Sequence, residues 1–268
     1  MKIVIKRNGE YQPFKLDKII RTCLRTGLSQ RDAERIALRV EQSFGETIKA
    51  KELYEKVLAE IEGISQTACA RYQLKESIAK IDPEVFEHYV MKVLEANGYE
   101  CIWNRIIWGA CIEHQVDILA EKDKVTWLVE CKHHVRDVRD TGLGEVLQVW
   151  ARLTDIKDGI KLKKNDIKNP WAWMITNTKF SAHAIKYALA KQLRLSGWGS
   201  SELSFQRLIE SVHCYPTTIL GLPPKMQERC EHADLLTILD IQTQDDKARD
   251  IFGKEYADYM NQIKCLMA

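Results

Sequence analysis

The sequence has no apolar run approaching the ~20 residues that a bilayer span requires, and its N-terminus lacks the apolar core of a signal peptide. It also has no C-x-x-C pair; its eight cysteines (Cys23, Cys69, Cys101, Cys111, Cys131, Cys214, Cys230, Cys265) are scattered. Without an export signal such thiols read as reduced and mostly buried, so a cytoplasmic protein with no membrane partner is expected. Net charge is scarce as well. The 40 Lys+Arg and 38 Asp+Glu leave +2, which does not advertise a nucleic-acid binder. There is no internal repeat, no low-complexity tract and no Walker-type G-x-x-x-x-G-K-[ST], so ATP hydrolysis by a P-loop is unsupported. Hydrophobic residues at 45% and charged residues at 29% exclude a wholly disordered chain and leave ample material for a core.

At 268 residues the chain is long enough for two domains, or one with appendages. Its charge is uneven: residues 1–80 carry 16 basic and 11 acidic side chains, residues 81–200 carry 17 and 16, and residues 201–268 carry 7 and 11. Three units with separate partners are therefore expected. Residues 1–80 open with Ile3-Val4-Ile5-Lys6-Arg7, then Asn8-Gly9, a signal for a type I′ hairpin turn. Four short helices follow, the second capped by Ser29 with Asp32. In residues 81–200, Asp82-Pro83 starts a helix that Asn97-Gly98 ends. Strands are expected at Glu100–Trp103, Gln115–Ala120, Val125–Cys131 and Trp171–Thr176, with helices at Gly144–Thr154 and Ser181–Lys191, which makes a mixed α/β domain. Residues 201–268 read as mainly helical, interrupted by Tyr215-Pro216 and Leu222-Pro223-Pro224.

The stretch that carries chemistry is Val116 to Lys132. If Ala120 pairs with Val125 around a Glu121–Lys124 turn, Asp117 lies opposite Leu128. Val116, Ile118, Ala120, Val125, Trp127, Val129 and Cys131 then share an apolar face. The other face holds Asp117, Leu119, Leu128, Glu130 and Lys132, with the two acids as diagonal neighbours. Two converging carboxylates repel unless one is protonated or a hard divalent cation lies between them. Such a cation lowers the pKa of a bound water and stabilises charge growing on a phosphate, and Lys132 suits orienting that water. The alternative is a solvated strand face whose charges pair across the ladder; one hairpin does not separate the two.

Asp117 followed by Glu130-Cys131-Lys132 resembles the PD-(D/E)xK nuclease signature. Phe86-Glu87 to Leu94, Gly98-Tyr99, Met174-Ile175-Thr176-Asn177-Thr178 and Phe180-Ser181 resemble the Mrr-type restriction endonuclease branch over about residues 83–200. The resemblance implies a restriction-endonuclease-like fold and a Mg²⁺- or Mn²⁺-dependent DNA endonuclease. Asp117 and Glu130 would be metal ligands, Lys132 the catalytic lysine, and Glu87 and Gln148 accessories. Val116 stands where the family often has Pro, and Gln115 where it can have an acid. His114 reads as a satisfied structural residue, and the Cys111, His114, Cys131, His133 set fits no standard zinc spacing.

Val4-Ile5-Lys6-Arg7-Asn8-Gly9, Pro13-Phe14, Lys18-Ile19 and Ala70-Arg71-Tyr72 make residues 1–80 resemble an ATP-cone, a nucleotide-sensing module. That resemblance implies ATP or dATP as a regulatory ligand, with contacts from Val4, Lys6, Arg7 and Lys18. Positive charge gathered where a hairpin meets a helix suits a triphosphate. Thr141-Gly142-Leu143-Gly144 reads as a flexible turn. Lys161, Lys163 and Lys164 are candidate DNA-backbone contacts, while Trp150, Trp171 and Trp173 read as core. Residues 217–241, around Leu222-Pro223-Pro224, faintly resemble a helix-hairpin-helix element, but the acidic balance of residues 201–268 favours packing or homo-oligomerisation. The expected organisation is an ATP-cone (1–80), a nuclease domain (81–200) and a helical C-terminal segment (201–268). The competing function is a non-catalytic, nucleotide-sensing DNA-binding regulator.

Overall fold

A computed structural model of the protein describes residues 2–6, 9–135, 140–199 and 203–267. Arg7 and Asn8, named above, lie outside the described residues. The chain divides into two units: residues 1–76 with 252–268, and residues 77–251. The C-terminal helices are thus shared between both units.

The first unit contains β1 (Ile3–Ile5), β2 (Tyr11–Pro13), α1 (Leu16–Arg25), α2 (Gln30–Gln42), β3 (Thr47–Lys49), α3 (Ala50–Glu62) and most of α4 (Gln66–Ala79). β1 is central in the three-stranded sheet, antiparallel to β2 and parallel to β3. β3 was not expected from the sequence; three residues are too few to display an alternation. The β1–β2 ladder closes where Lys6 N–H donates to the Glu10 carbonyl at 2.8 Å, with Gly9 at φ +85°. Three residues separate that pair, and the expected turn lies partly outside the described residues at Asn8. Ser29 does cap α2, accepting from the Asp32 amide at 3.1 Å. Ile19, Cys23, Ile36, Ala37, Val40, Val57 and Ile61 make the core. Each fully buried Ile or Val side chain contributes about 1.5–3 kcal/mol.

The second unit begins with α5 (Pro83–Ala96), capped by the Asp82 carboxylate on the Glu84 amide, with Pro83 at the first helical position. β4 (Glu100–Trp108), β5 (Glu113–Lys122), β6 (Val125–Lys132), α6 (Leu143–Lys161), β7 (Pro170–Thr176), α7 (Ala182–Lys191) and β8 (Arg194–Ser196) follow. The sheet order is β4-β5-β6-β7-β8; β4, β5 and β6 form an antiparallel meander, and β7 and β8 join it in parallel. This is the mixed-sheet, restriction-endonuclease-like α/β fold. Helices α6 and α7 cover the face bearing Leu119, Leu128, Ala172 and Met174. Helix α5 packs on the sheet and meets α8 (Phe205–Glu210) through Phe86 and Phe205. α9 (Pro224–His232) and α10 (Ile238–Thr243) complete this unit, with α11 (Asp245–Phe252) at its end; α12 (Tyr256–Met267) belongs to the first. Among the described residues, no helix is long and apolar enough to cross a membrane.

The β5–β6 hairpin is tighter than expected. Lys122 pairs with Val125, Ala120 with Trp127 and Ile118 with Val129. The two-residue turn Asp123-Lys124 has both φ values positive, +52° and +63°, so this is where a type I′ turn forms. Neither residue is glycine, which is why the sequence does not announce it. Val116 also departs from expectation. It packs with Leu119 and Leu128 beneath α6, so the alternation of faces skips at Asp117. On β4 the ladder omits the facing Asn104, whose φ is +53°.

All eight cysteines are free; Cys23, Cys214 and Cys230 are buried, while Cys111 and Cys265 are exposed. Trp173 is fully buried, but Trp171 and Trp150 lie beneath the ammonium groups of Lys157 and Lys191. The stretch at Thr141 leads into α6: Thr141 is fully buried, its hydroxyl meets those of Thr176 and Thr178, each at 3.1 Å, and Gly142 is the N-cap.

Candidate active site

Carrying the β5–β6 ladder one step past Ile118–Val129 puts Asp117 directly opposite Glu130, not opposite Leu128. The observed register differs from the expected one by two residues. Because side chains alternate with period two, that slip leaves the β6 faces unchanged and brings the acids closer. The skipped alternation turns Asp117 towards its neighbour, and its Oδ2 accepts a hydrogen bond from the Cys131 amide at 2.7 Å. Both acids are half-buried, and Lys132 is exposed at the end of β6.

Helices supply the remaining groups. Glu87 on α5 accepts from the Trp103 indole N–H at 3.3 Å and is half-buried. Arg152 on α6 donates from Nη1 to Glu130 Oε2. Gln148 lies one turn before Arg152 on α6, exposed. Arg152 escaped the sequence analysis, because only the crossing of α6 over the sheet brings it to Glu130. The signal was its four-residue spacing from Gln148, which puts both on one helix face.

Burial raises the pKa of Asp117, and repulsion from Glu87 adds to the rise, against the lowering effect of the Cys131 amide. Burial and then Asp117 raise Glu130, against the pull of Arg152 and Lys132. Glu87 is also raised, chiefly by burial. The carboxyl groups are thus short of positive charge. Among the described residues, no three His, Cys, Asp or Glu side chains converge as a closed metal cage. The donor set fits Mg²⁺ or Mn²⁺ held by two carboxylates, with water and phosphate oxygens completing the shell. It does not fit zinc: His114 Nε2 lies 2.8 Å from Asp155 Oδ2, and His133 Nε2 lies 3.0 Å from the Ile78 carbonyl. Asp155 also accepts from the Cys111 amide, so His114 belongs to a clamp on the β4–β5 loop, as a structural histidine should.

Two family comparisons coincide with this architecture. The ATP cone domain matches residues 2–76, and the Mrr catalytic family, described as restriction endonuclease, matches residues 78–196. The chain is an ATP-cone–Mrr restriction-endonuclease fusion. This fusion protein is 35% identical over 162 residues to an uncharacterized protein of Archaeoglobus fulgidus, a match covering 60% of this chain and 88% of that protein. It is also similar to the crystal structure of a protein of unknown function. That match has a TM-score of 0.52 and 32% identity, over 68% of this chain and 94% of the other.

In the ATP-cone of the fusion, Val4 is 3% exposed on the central strand, so its side chain shapes the core. Lys6 pairs with Glu10 at 2.6 Å, and Lys18 Nζ donates to Gln12 Oε1 at 3.2 Å. In the endonuclease domain, Lys161 pairs with Asp158 at 2.8 Å and Lys164 donates to the Ala110 carbonyl. Lys163 is exposed with φ +57°.

Proposed function

We propose that the protein is a metal-dependent DNA endonuclease whose activity responds to ATP or dATP bound by its ATP-cone. The observation that carries this reading is the register that opposes Asp117 and Glu130 with Lys132 at the strand end. Asp117 and Glu130 would hold Mg²⁺ or Mn²⁺, with Glu87 as an outer carboxylate and Gln148 as a polar contact on α6. When bound, the metal supplies Lewis-acid stabilisation of the phosphate and lowers the pKa of an attacking water. Lys132 orients that water and stabilises charge on the phosphate oxygens. The water oxygen bonds to phosphorus and gives up one proton to solvent while one ester P–O bond breaks, and the leaving oxygen takes up a proton from solvent. Lys161, Lys163 and Lys164 would contact the DNA backbone, and Lys6, Arg7 and Lys18 the nucleotide phosphates. The 1–80, 81–200 and 201–268 division assigns sensing, cleavage and packing to these segments, with homo-oligomerisation through the last.

The test is incubation with plasmid, linear and single-stranded DNA in Mg²⁺, Mn²⁺ or EDTA. Metal-dependent cleavage is expected, lowered by orders of magnitude in Asp117→Ala, Glu130→Ala and Lys132→Ala while circular dichroism stays native. Cleavage undiminished in Asp117→Ala would remove the assignment. DNA binding without cleavage in any metal would leave the non-catalytic regulator.

A further inference from the structure

Arg152 touches the proposed active site, and the nuclease reading gives it no task. Its guanidinium reaches Glu130 from α6, across the sheet face from which the acids must be served. Arg152 and Glu130 line a small cleft together with the apolar side chains of Val116, Leu128, Val149 and Ala172. An arginine stem packs readily on such apolar walls while its head stays polar. The Arg152 side chain is 28% exposed and the Glu130 side chain 26% exposed, so neither is sealed from solvent or from an arriving ligand.

The pairing has a chemical consequence. Glu130 Oε2 accepts from Arg152, and a carboxylate oxygen engaged by a guanidinium is not available with the same lone pair to a metal. Once released, the five N–H donors of Arg152 match the oxygens of a phosphodiester better than an ammonium does.

Resting on the nuclease reading, we infer that Arg152 is the resident counter-cation of the active site. It holds Glu130 in the metal-free protein, yields that carboxylate to the metal, and turns to a phosphate oxygen of bound DNA. Arg152 therefore competes with the metal for one partner and cooperates with it on the other. A merely structural ion pair would do neither.

The test uses full-length protein and three readouts. Calorimetry with Mn²⁺ alone should show Arg152→Gln binding the metal roughly five-fold or more tightly than wild type, since about 1 kcal/mol of ion pair no longer competes. In Ca²⁺, the same variant should bind duplex DNA more weakly; in saturating Mg²⁺, it should cleave more slowly. Arg152→Lys, which keeps the charge without the fork, should fall between and serves as the folded control. In Glu130→Gln protein, adding Arg152→Gln should produce no tightening. Unchanged or weaker Mn²⁺ binding in Arg152→Gln, with wild type binding Mn²⁺ and cleaving, overturns the role of Arg152 alone. Wild type that neither binds Mn²⁺ nor cleaves overturns the nuclease reading, and this inference with it.

Discussion

Asp117 and Glu130 each hold a proton more firmly in the folded protein than an exposed carboxyl group does. Folding then binds protons, and stability falls as pH rises from the ordinary carboxylate range towards neutrality. Asp117→Asn keeps an acceptor for the Cys131 amide and removes one charge. The metal-free variant should be more stable than wild type at pH 8 by on the order of 1–2 kcal/mol, with the gap shrinking at pH 5. Urea denaturation in EDTA at both pH values checks this; an equal gap at the two would mean that repulsion is not its source. Mn²⁺ should restore wild-type stability at pH 8 and not that of the variant, because a cation relieves the same repulsion.

Among elements, the β5–β6 hairpin carries most of the site. Lys124 occupies the left-handed region at φ +63°, where a side chain costs about 1 kcal/mol or more. Lys124→Gly should raise the urea midpoint by an amount equivalent to about 1 kcal/mol and leave metal binding unchanged. A lower midpoint would show that the Lys124 stem contributes more than its backbone costs. The same hairpin shows where the sequence is legible. The Ser29 and Asp82 caps could be read because capping is settled within three residues, and the β6 faces because they need only alternation. The register could not be read, since Asp123-Lys124 lacks the glycine that marks a type I′ turn. The switch of Val116 was hidden for another reason: it depends on a ladder irregularity shared with Asn104, far away in sequence. β8 is only three residues and exists because β7 offers it an edge.

For the whole molecule, the informative fact is that two families follow one another along a single chain. A sensor joined to a nuclease has a consequence only if the nucleotide binds the active and inactive states unequally. Allosteric coupling is typically 1–3 kcal/mol, so ATP or dATP should change cleavage or assembly roughly 5- to 150-fold. The sign follows from whichever state the nucleotide prefers. Lys6→Ala/Lys18→Ala protein should lose nucleotide binding in calorimetry and, with it, any nucleotide dependence of cleavage. Wild-type binding without an effect on cleavage or sedimentation would make the ATP-cone a passive dock; no binding in wild type would end the sensor reading.

The two-residue register slip has a further meaning for how such a site persists. A pattern of period two cannot distinguish a register from one displaced by two, so the apolar residues that fold the hairpin are indifferent to how close Asp117 comes to Glu130. That proximity is set at the Asp123-Lys124 turn, six residues away along β5, or about 20 Å at strand rise. Sliding β6 by two residues against β5, with the turn displaced to match, would let each strand keep its inward and outward sides while separating the acids along the ladder by about 7 Å. Such a hairpin would keep its apolar and polar faces and lose the opposed pair of acids. Burial of apolar side chains does not resist that loss; on the nuclease reading, only the work of the site guards the turn.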